Sequence, residues 1–180
     1  MTPNKHCAAW ARWVGAILVL AGSAGAAFAH GDDSGDTPTC PKGTVWDSNS
    51  NRCVHQQSSA LSDADRTRYA YKLAKLHRFE EALALLDTLK DPNTREAWNY
   101  RGYATRKLGR TDEGIGYYLK AVAIDPKYAL VREYLGEAYV IKGRVDLARE
   151  QLAVIKTLCG TGCEEYRDLA AAIQSNPDEY

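Results

Sequence analysis

Residues 97–126 read AWNYRGYATRKLGRTDEGIGYYLKAVAIDP, and the spacing of this stretch returns elsewhere in the chain. Lys90-Asp91-Pro92 and Ile124-Asp125-Pro126 lie 34 residues apart, and Leu108-Gly109-Arg110 and Lys142-Gly143-Arg144 are separated by the same interval. Gly102 and Gly136 keep it too, while Leu76-His77-Arg78 precedes Leu108-Gly109-Arg110 by 32. A repeat of this period predicts helical hairpins, because one hairpin leaves an apolar face bare and stacking three buries a continuous core. From Ser62 onward the apolar residues recur at helical spacing, with no strand-like alternation.

The residues between the apolar positions fit that reading. Ser62 followed by Asp63 and Asp65 makes an N-terminal cap, its oxygen accepting from free amides while the acids suit the positive helix end. Gly109 and Gly143 are placed to adopt positive φ at tight turns, and His77 takes the equivalent position in the first hairpin. Gly102 and Gly136 let neighbouring helices approach closely, as Ala82 and Ala148 do on the partner helices. Asn93, Thr111 and Asp125-Pro126 begin or end helices. The last hairpin needs a cover, and Glu164–Ser175 (EEYRDLAAAIQS) supplies one, with Tyr166, Leu169, Ala170 and Ile173 on one face.

The unit Ala97–Pro126 resembles the tetratricopeptide repeat through Trp98, Gly102, Leu108, Gly109, Tyr118, Ala121 and Pro126. Arg101, Thr105 and Gly114 depart from that pattern. A third unit matches at Leu135, Gly136, Tyr139, Gly143, Ala148 and Leu152, with Gly160 where Pro is usual. The first keeps Tyr69, Ala70, Leu76, Ala82, Leu86 and Leu89, and is about two residues shorter in its second helix. The resemblance covers Asp63–Gly162. It implies an all-α, right-handed superhelix of three stacked hairpins with a C-terminal capping helix, spanning residues 61–175. It also implies a concave groove for a protein or peptide, lined by Tyr71, Lys75, Asn99, Tyr103, Arg106, Lys107, Glu133 and Glu137, with Thr67 and Val140 at matching offsets. The family's clamp for carboxylate-ended tails is absent, since its positions hold Thr67, Tyr71, Tyr100, Leu130 and Tyr134.

Ahead of the helical array the composition changes. Residues 1–29 have the parts of a secretory signal: Lys5, His6 and Arg12, then an apolar run over Val14–Ala27, then the small-x-small Ala27-Phe28-Ala29. Cleavage after Ala29 and a periplasmic or secreted protein, with no membrane insertion once the signal is removed, are the expectations. Residues 30–60 comprise a polar tail, a small hairpin over Cys40–Cys53 and a linker. Thr44-Val45-Trp46 and Arg52-Cys53-Val54 are β-prone on either side of the turn formers Asp47–Asn51. So small a hairpin is marginal in water unless stapled.

Removing residues 1–29 takes two bases and no acid, so 23 bases against 23 acids becomes 21 against 23, a net charge of −2. No basic excess points to nucleic acid. Cys7 leaves with the signal; Cys40, Cys53, Cys159 and Cys163 remain, an even number that reads as disulfides in an exported chain. Of three possible pairings, the two local ones, 40–53 and 159–163, are favoured by proximity. Cys40–Cys53 with Trp46 also looks like the short cysteine segment of some chitin-binding modules, which gives an alternative reading as an envelope glycan-binding module. His30, as a new N-terminus, would offer an amine and an imidazole to copper, but no second His has a matching position. No cofactor or metal is expected, and with no Gly-x-Ser-x-Gly, His-Glu-x-x-His or phosphate loop the chain reads as an adaptor, not an enzyme.

Overall fold

A computed structural model describes residues 37–175 of the chain. The expected signal, its cleavage after Ala29 and the His30 position lie outside the described residues. Seven helices and one two-stranded sheet make up the described part. Strands β1 (Thr44–Asp47) and β2 (Arg52–His55) pair antiparallel in the register Thr44↔His55 to Asp47↔Arg52. The helices are α1 (Asp63–Lys75), α2 (Phe79–Leu86), α3 (Arg95–Lys107), α4 (Thr111–Ile124), α5 (Ala129–Ile141), α6 (Val145–Cys159) and α7 (Glu164–Gln174).

The helices pack in pairs, α1 on α2, α3 on α4 and α5 on α6, and each pair packs on the next. The odd-numbered helices also touch in succession, α1 to α3, α3 to α5 and α5 to α7. The turns follow the glycine spacing. Gly109 has φ +83° and Gly143 φ +68°, and His77 is forced to φ +60° at the same point of the first pair. A side chain with a Cβ is disfavoured in that region, so His77 holds a strained turn that glycine would hold freely.

The caps are those the sequence indicates at α1, where the Ser62 oxygen accepts from the Asp65 amide at 3.1 Å. Helix α3 starts one residue later than Asn93: Thr94 is its cap and accepts from the Ala97 amide at 3.2 Å. Helix α2 is much shorter than the two-residue deficit suggests, with 8 residues against 14 in α4 and 15 in α6. It stops at Leu86 because the chain is drawn toward the start of α1. The Asp63 carboxylate accepts from the amides of Lys90 and Asp91 at 3.0 and 2.9 Å, and this fixes residues 87–91 in a turn.

Both ends of the stack are closed. Cys40 pairs with Cys53 and Cys159 with Cys163, with Cα separations of 5.7 and 6.0 Å. The stapled hairpin packs on α1, burying Cys40 and Val45 in a core with Leu61, Tyr69, Leu73 and Leu85. Polar ties hold it there: the Cys40 amide donates to the Tyr69 hydroxyl at 2.6 Å, and the Ser48 hydroxyl to Asp65 at 2.7 Å. The segment after the hairpin is likewise tied down, since buried Arg66 donates to the carbonyls of Leu61 and Ser58 at 2.5 and 2.8 Å. At the other end α7 covers α5 and α6, with Leu169 fully buried and Ile173 nearly so in a second core that includes Tyr118, Val131, Leu135 and Ile155.

Gly136 is where α7 comes down on α5. A Cβ there would stand 2.5 Å from Leu169 Cδ2, a contact no packed side chain tolerates. Gly136→Ala should therefore destabilise the fold by about 1–3 kcal/mol. Gly116→Ala, in mid-helix with nothing within 4 Å of the new methyl, should stabilise it by about 0.5–1 kcal/mol. Urea denaturation of the two variants beside the wild type checks the opposite signs.

Candidate functional site

The face shared by α1, α3, α5 and α7 carries the residues expected to line a groove, and it is largely filled by tyrosine rings. Tyr71 of α1 is buried and stacks on Tyr100 of α3 with centroids 4.4 Å apart. Its edge meets Tyr103 at 6.4 Å, and its hydroxyl lies 3.3 Å from the hydroxyl of Tyr134 on α5. Tyr134 in turn lies 5.1 Å from Tyr103 and 6.3 Å from Tyr118 of α4. Offset and edge-on ring pairs of this kind contribute beyond their buried area. They make one aromatic seam through three successive hairpins.

Arg106 ties this seam to the charged surface. Its guanidinium is buried, donates from Nε to the Tyr118 hydroxyl at 3.2 Å and from Nη2 to Glu137 at 2.6 Å, and lies over the rings of Tyr103 and Tyr134. Burial works against its charge, but the Tyr118 oxygen and Glu137 outweigh it and hold the guanidinium firmly protonated.

Of the remaining groove positions, Asn99 is wholly buried and donates to the Tyr128 hydroxyl at 3.3 Å, so it faces the interior and not solvent. Lys75 and Lys107 are exposed on the rim, each over a tyrosine ring at 5.5 Å, Tyr71 and Tyr103 respectively. Neither has an acid partner among the described residues. Tyr103, Glu137, Thr67 and Val140 are half-buried. An open hollow of about 230 Å³ lies where the last turns of α3, α5 and α7 meet, lined by Arg106, Lys107, Glu137, Val140, Ile141 and the end of α7.

Glu133 is the anomaly of the face. It is 5% exposed, while the enclosed side-chain atoms without a hydrogen-bond partner among the described residues are Arg66 Nε, Asn99 Oδ1 and Thr105 Oγ1. Burial first, and then the charges of Glu137, Asp168, Glu165 and Glu164, push its carboxyl up to about 9. The three acids of α7 lie near enough for their charges to act on Glu133. Tyr100, Tyr118 and Tyr134 are further residues of the site that the offset argument passed over. Their signal was present in the 34-residue interval between Tyr100 and Tyr134.

Trp46, the ring of the glycan reading, is half-buried, stands opposite Cys53 in the strand pair and packs against the core. Cys159, Cys163 and Glu165 bring three metal-ligand atoms within 4.8 Å, but the two sulfurs are bonded to each other and offer no thiolate. Among the described residues no helix is long and apolar enough to cross a membrane. Two disulfides are consistent with an extracytoplasmic location. No protein-family model matches the chain, and no curated protein matches it either.

Arg106→Ala strands the Tyr118 hydroxyl and leaves Glu137 unpaired, and should destabilise the fold by about 2–4 kcal/mol. Arg110→Ala, whose half-exposed side chain meets only Glu113, should change it by less than about 0.5 kcal/mol in the same denaturation assay. For Glu133, the folded carboxyl stays protonated to about pH 9 while the unfolded one ionises near 4.5. Between those values the folded state holds the extra proton, so stability falls as pH rises; below 4.5 the effect vanishes. Glu133→Gln keeps the neutral shape and removes this slope. Its advantage over the wild type should grow by about 1 kcal/mol or more from pH 4 to pH 8.

Proposed function

We propose that the chain is an exported adaptor of the tetratricopeptide-repeat type. It holds a partner polypeptide in the cell envelope on the face of α1, α3, α5 and α7 and performs no catalysis of its own. The observation that carries this reading is the rim of that face, where Lys75 and Lys107 stand exposed over tyrosine rings with no acid partner among the described residues, next to an open hollow. Cations seated on aromatic rings, with half-buried Tyr103 between them, combine contact area with charge in the manner of protein-recognition surfaces. The succession of paired helices, with glycine or a forced His77 at each turn, supports the repeat assignment. The two disulfides support export.

The packing of Trp46 against the core favours a capping role for the hairpin over a sugar-stacking one. The adaptor reading is tested by affinity capture from envelope extract with the wild type and a Lys75→Glu/Lys107→Glu variant. Both lysines are exposed, so the variant should melt within a few degrees of the wild type. Loss of the captured set with the variant is the expected result. An unchanged set would show that this face does not hold the partner.

A further inference from the structure

The odd-numbered helices end in register. Lys75 is the last residue of α1, Lys107 of α3 and Ile141 of α5, each at the turn into its partner helix. All three are exposed, and Ile141, at 58%, is the barest large apolar residue among the described residues. One edge of the face therefore reads cation, cation, apolar from the first hairpin to the third.

The two cations differ from their neighbours. Basic residues of the adjoining turns are matched, Arg78 by Glu81, Arg110 by Glu113 and Lys142 by Asp112. Lys75 and Lys107 have no acid partner among the described residues and rest instead on rings, each 5.5 Å from the centre of Tyr71 or Tyr103. The centres of those rings are 6.4 Å apart. Ammonium groups so placed stand no more than about 17 Å from each other, a span that about five residues of extended chain cover.

Beyond Lys107 this edge opens into the hollow of about 230 Å³. Arg106 and Glu137, paired at 2.6 Å, leave Lys107 as the unmatched charge of its lining. Val140, Ile141 and Ala172 supply its apolar wall. Helices α5 and α7 carry no basic residue in their last turns, so their negative ends turn a carboxylate away from that wall and toward Lys107. Glu164 and Glu165 stand at the opposite end of α7. A hollow of this size suits one large apolar side chain better than a drug-sized ligand.

Resting on the partner-binding reading above, we propose that the partner polypeptide presents an extended acidic segment to this edge. One carboxylate meets Lys75, a second meets Lys107 within about five residues of the first, and a large apolar side chain next to the second enters the hollow against Ile141. The unmatched lysines supply the charge complementarity and the exposed isoleucine the apolar contact. Each ammonium is a point charge on a flexible stem, so these seats select charge and spacing over a particular acid. The order cation, cation, apolar fixes which end of the segment lies toward α7.

A random twelve-residue phage-displayed peptide library, selected on the immobilised protein, provides the probes. Enriched peptides are synthesised and titrated against wild type, Lys107→Glu, Lys75→Glu/Lys107→Glu and Ile141→Ser. The three positions are exposed, so the variants should melt within a few degrees of the wild type. The expected peptides carry two acids within about five positions and an apolar residue beside one of them. Changing that acid to its amide should weaken binding about three- to tenfold, and Lys107→Glu should weaken it more. Changing the same acid to Lys should raise the affinity for Lys107→Glu above that for wild type. Trimming the apolar residue to Ala should cost about tenfold on wild type and little on Ile141→Ser. Peptides lost with the lysine reversals that tolerate either the amide or the alanine change would overturn the acidic, apolar segment and leave the adaptor face standing. Peptides indifferent to every substitution, or a selection that enriches none, would overturn both.

Discussion

Tyr118 fills the space between α3 and α4 because residue 102 contributes no side chain. A Cβ at Gly102 would lie 2.6 Å from the Tyr118 ring, and one at Gly114 would meet the Gly102 carbonyl at 3.0 Å. Two glycines facing each other bring the helices together, and the fully buried ring then reaches past α3 toward α5. Its hydroxyl receives Arg106, and Arg106 fixes Glu137. The aromatic seam, the buried ion pair and the charged lip of the hollow are thus successive consequences of one steric permission. Gly114, which departs from the repeat pattern, is one half of that contact.

The polar interior lies in two places, at the hairpin end with Asp47, Asp65 and Arg66, and along α3 and α5 with Asn99, Thr105, Arg106 and Glu133. Elsewhere the cores are aliphatic and aromatic, and their charged neighbours are either exposed or matched, as Arg95 is with Asp125 and Glu96. On the α5–α7 side the Glu133 carboxyl is buried within the field of Glu137, Glu164, Glu165 and Asp168. Such an arrangement opposes stability over the whole neutral range, and local sequence preferences do not call for it. Sites that break the rules of packing in this way are where binding is usually found.

Much of the architecture was legible because it rests on local chemistry. The 34-residue interval located the hairpins, Gly109 and Gly143 located the turns, and His77 disclosed its role by occupying the same register. The stapled hairpin could be read from two β-prone triplets around Asp47–Asn51. The cysteine partners could be read from proximity, and the fold joins Cys40 to Cys53 across a strand pair and Cys159 to Cys163 across a short turn. The early end of α2 was not legible, because Asp63 sits 27 residues before the Lys90 amide that it holds. For the same reason spacing placed Asn99 and Glu133 on the face but did not reveal that one points inward and the other is enclosed. Burial depends on what arrives from other helices, and a periodic pattern is silent about that.

The hairpin held on α1 by Tyr69 and Asp65 has a consequence for assembly. Stacked hairpins present the same kind of apolar surface at each end, so an uncovered array can add copies of itself head to tail without limit. Here the leading surface is occupied by a cross-linked strand pair and the trailing one by α7. The described stack therefore has no sticky end. With both described ends covered, the sides of the stack are its open surface.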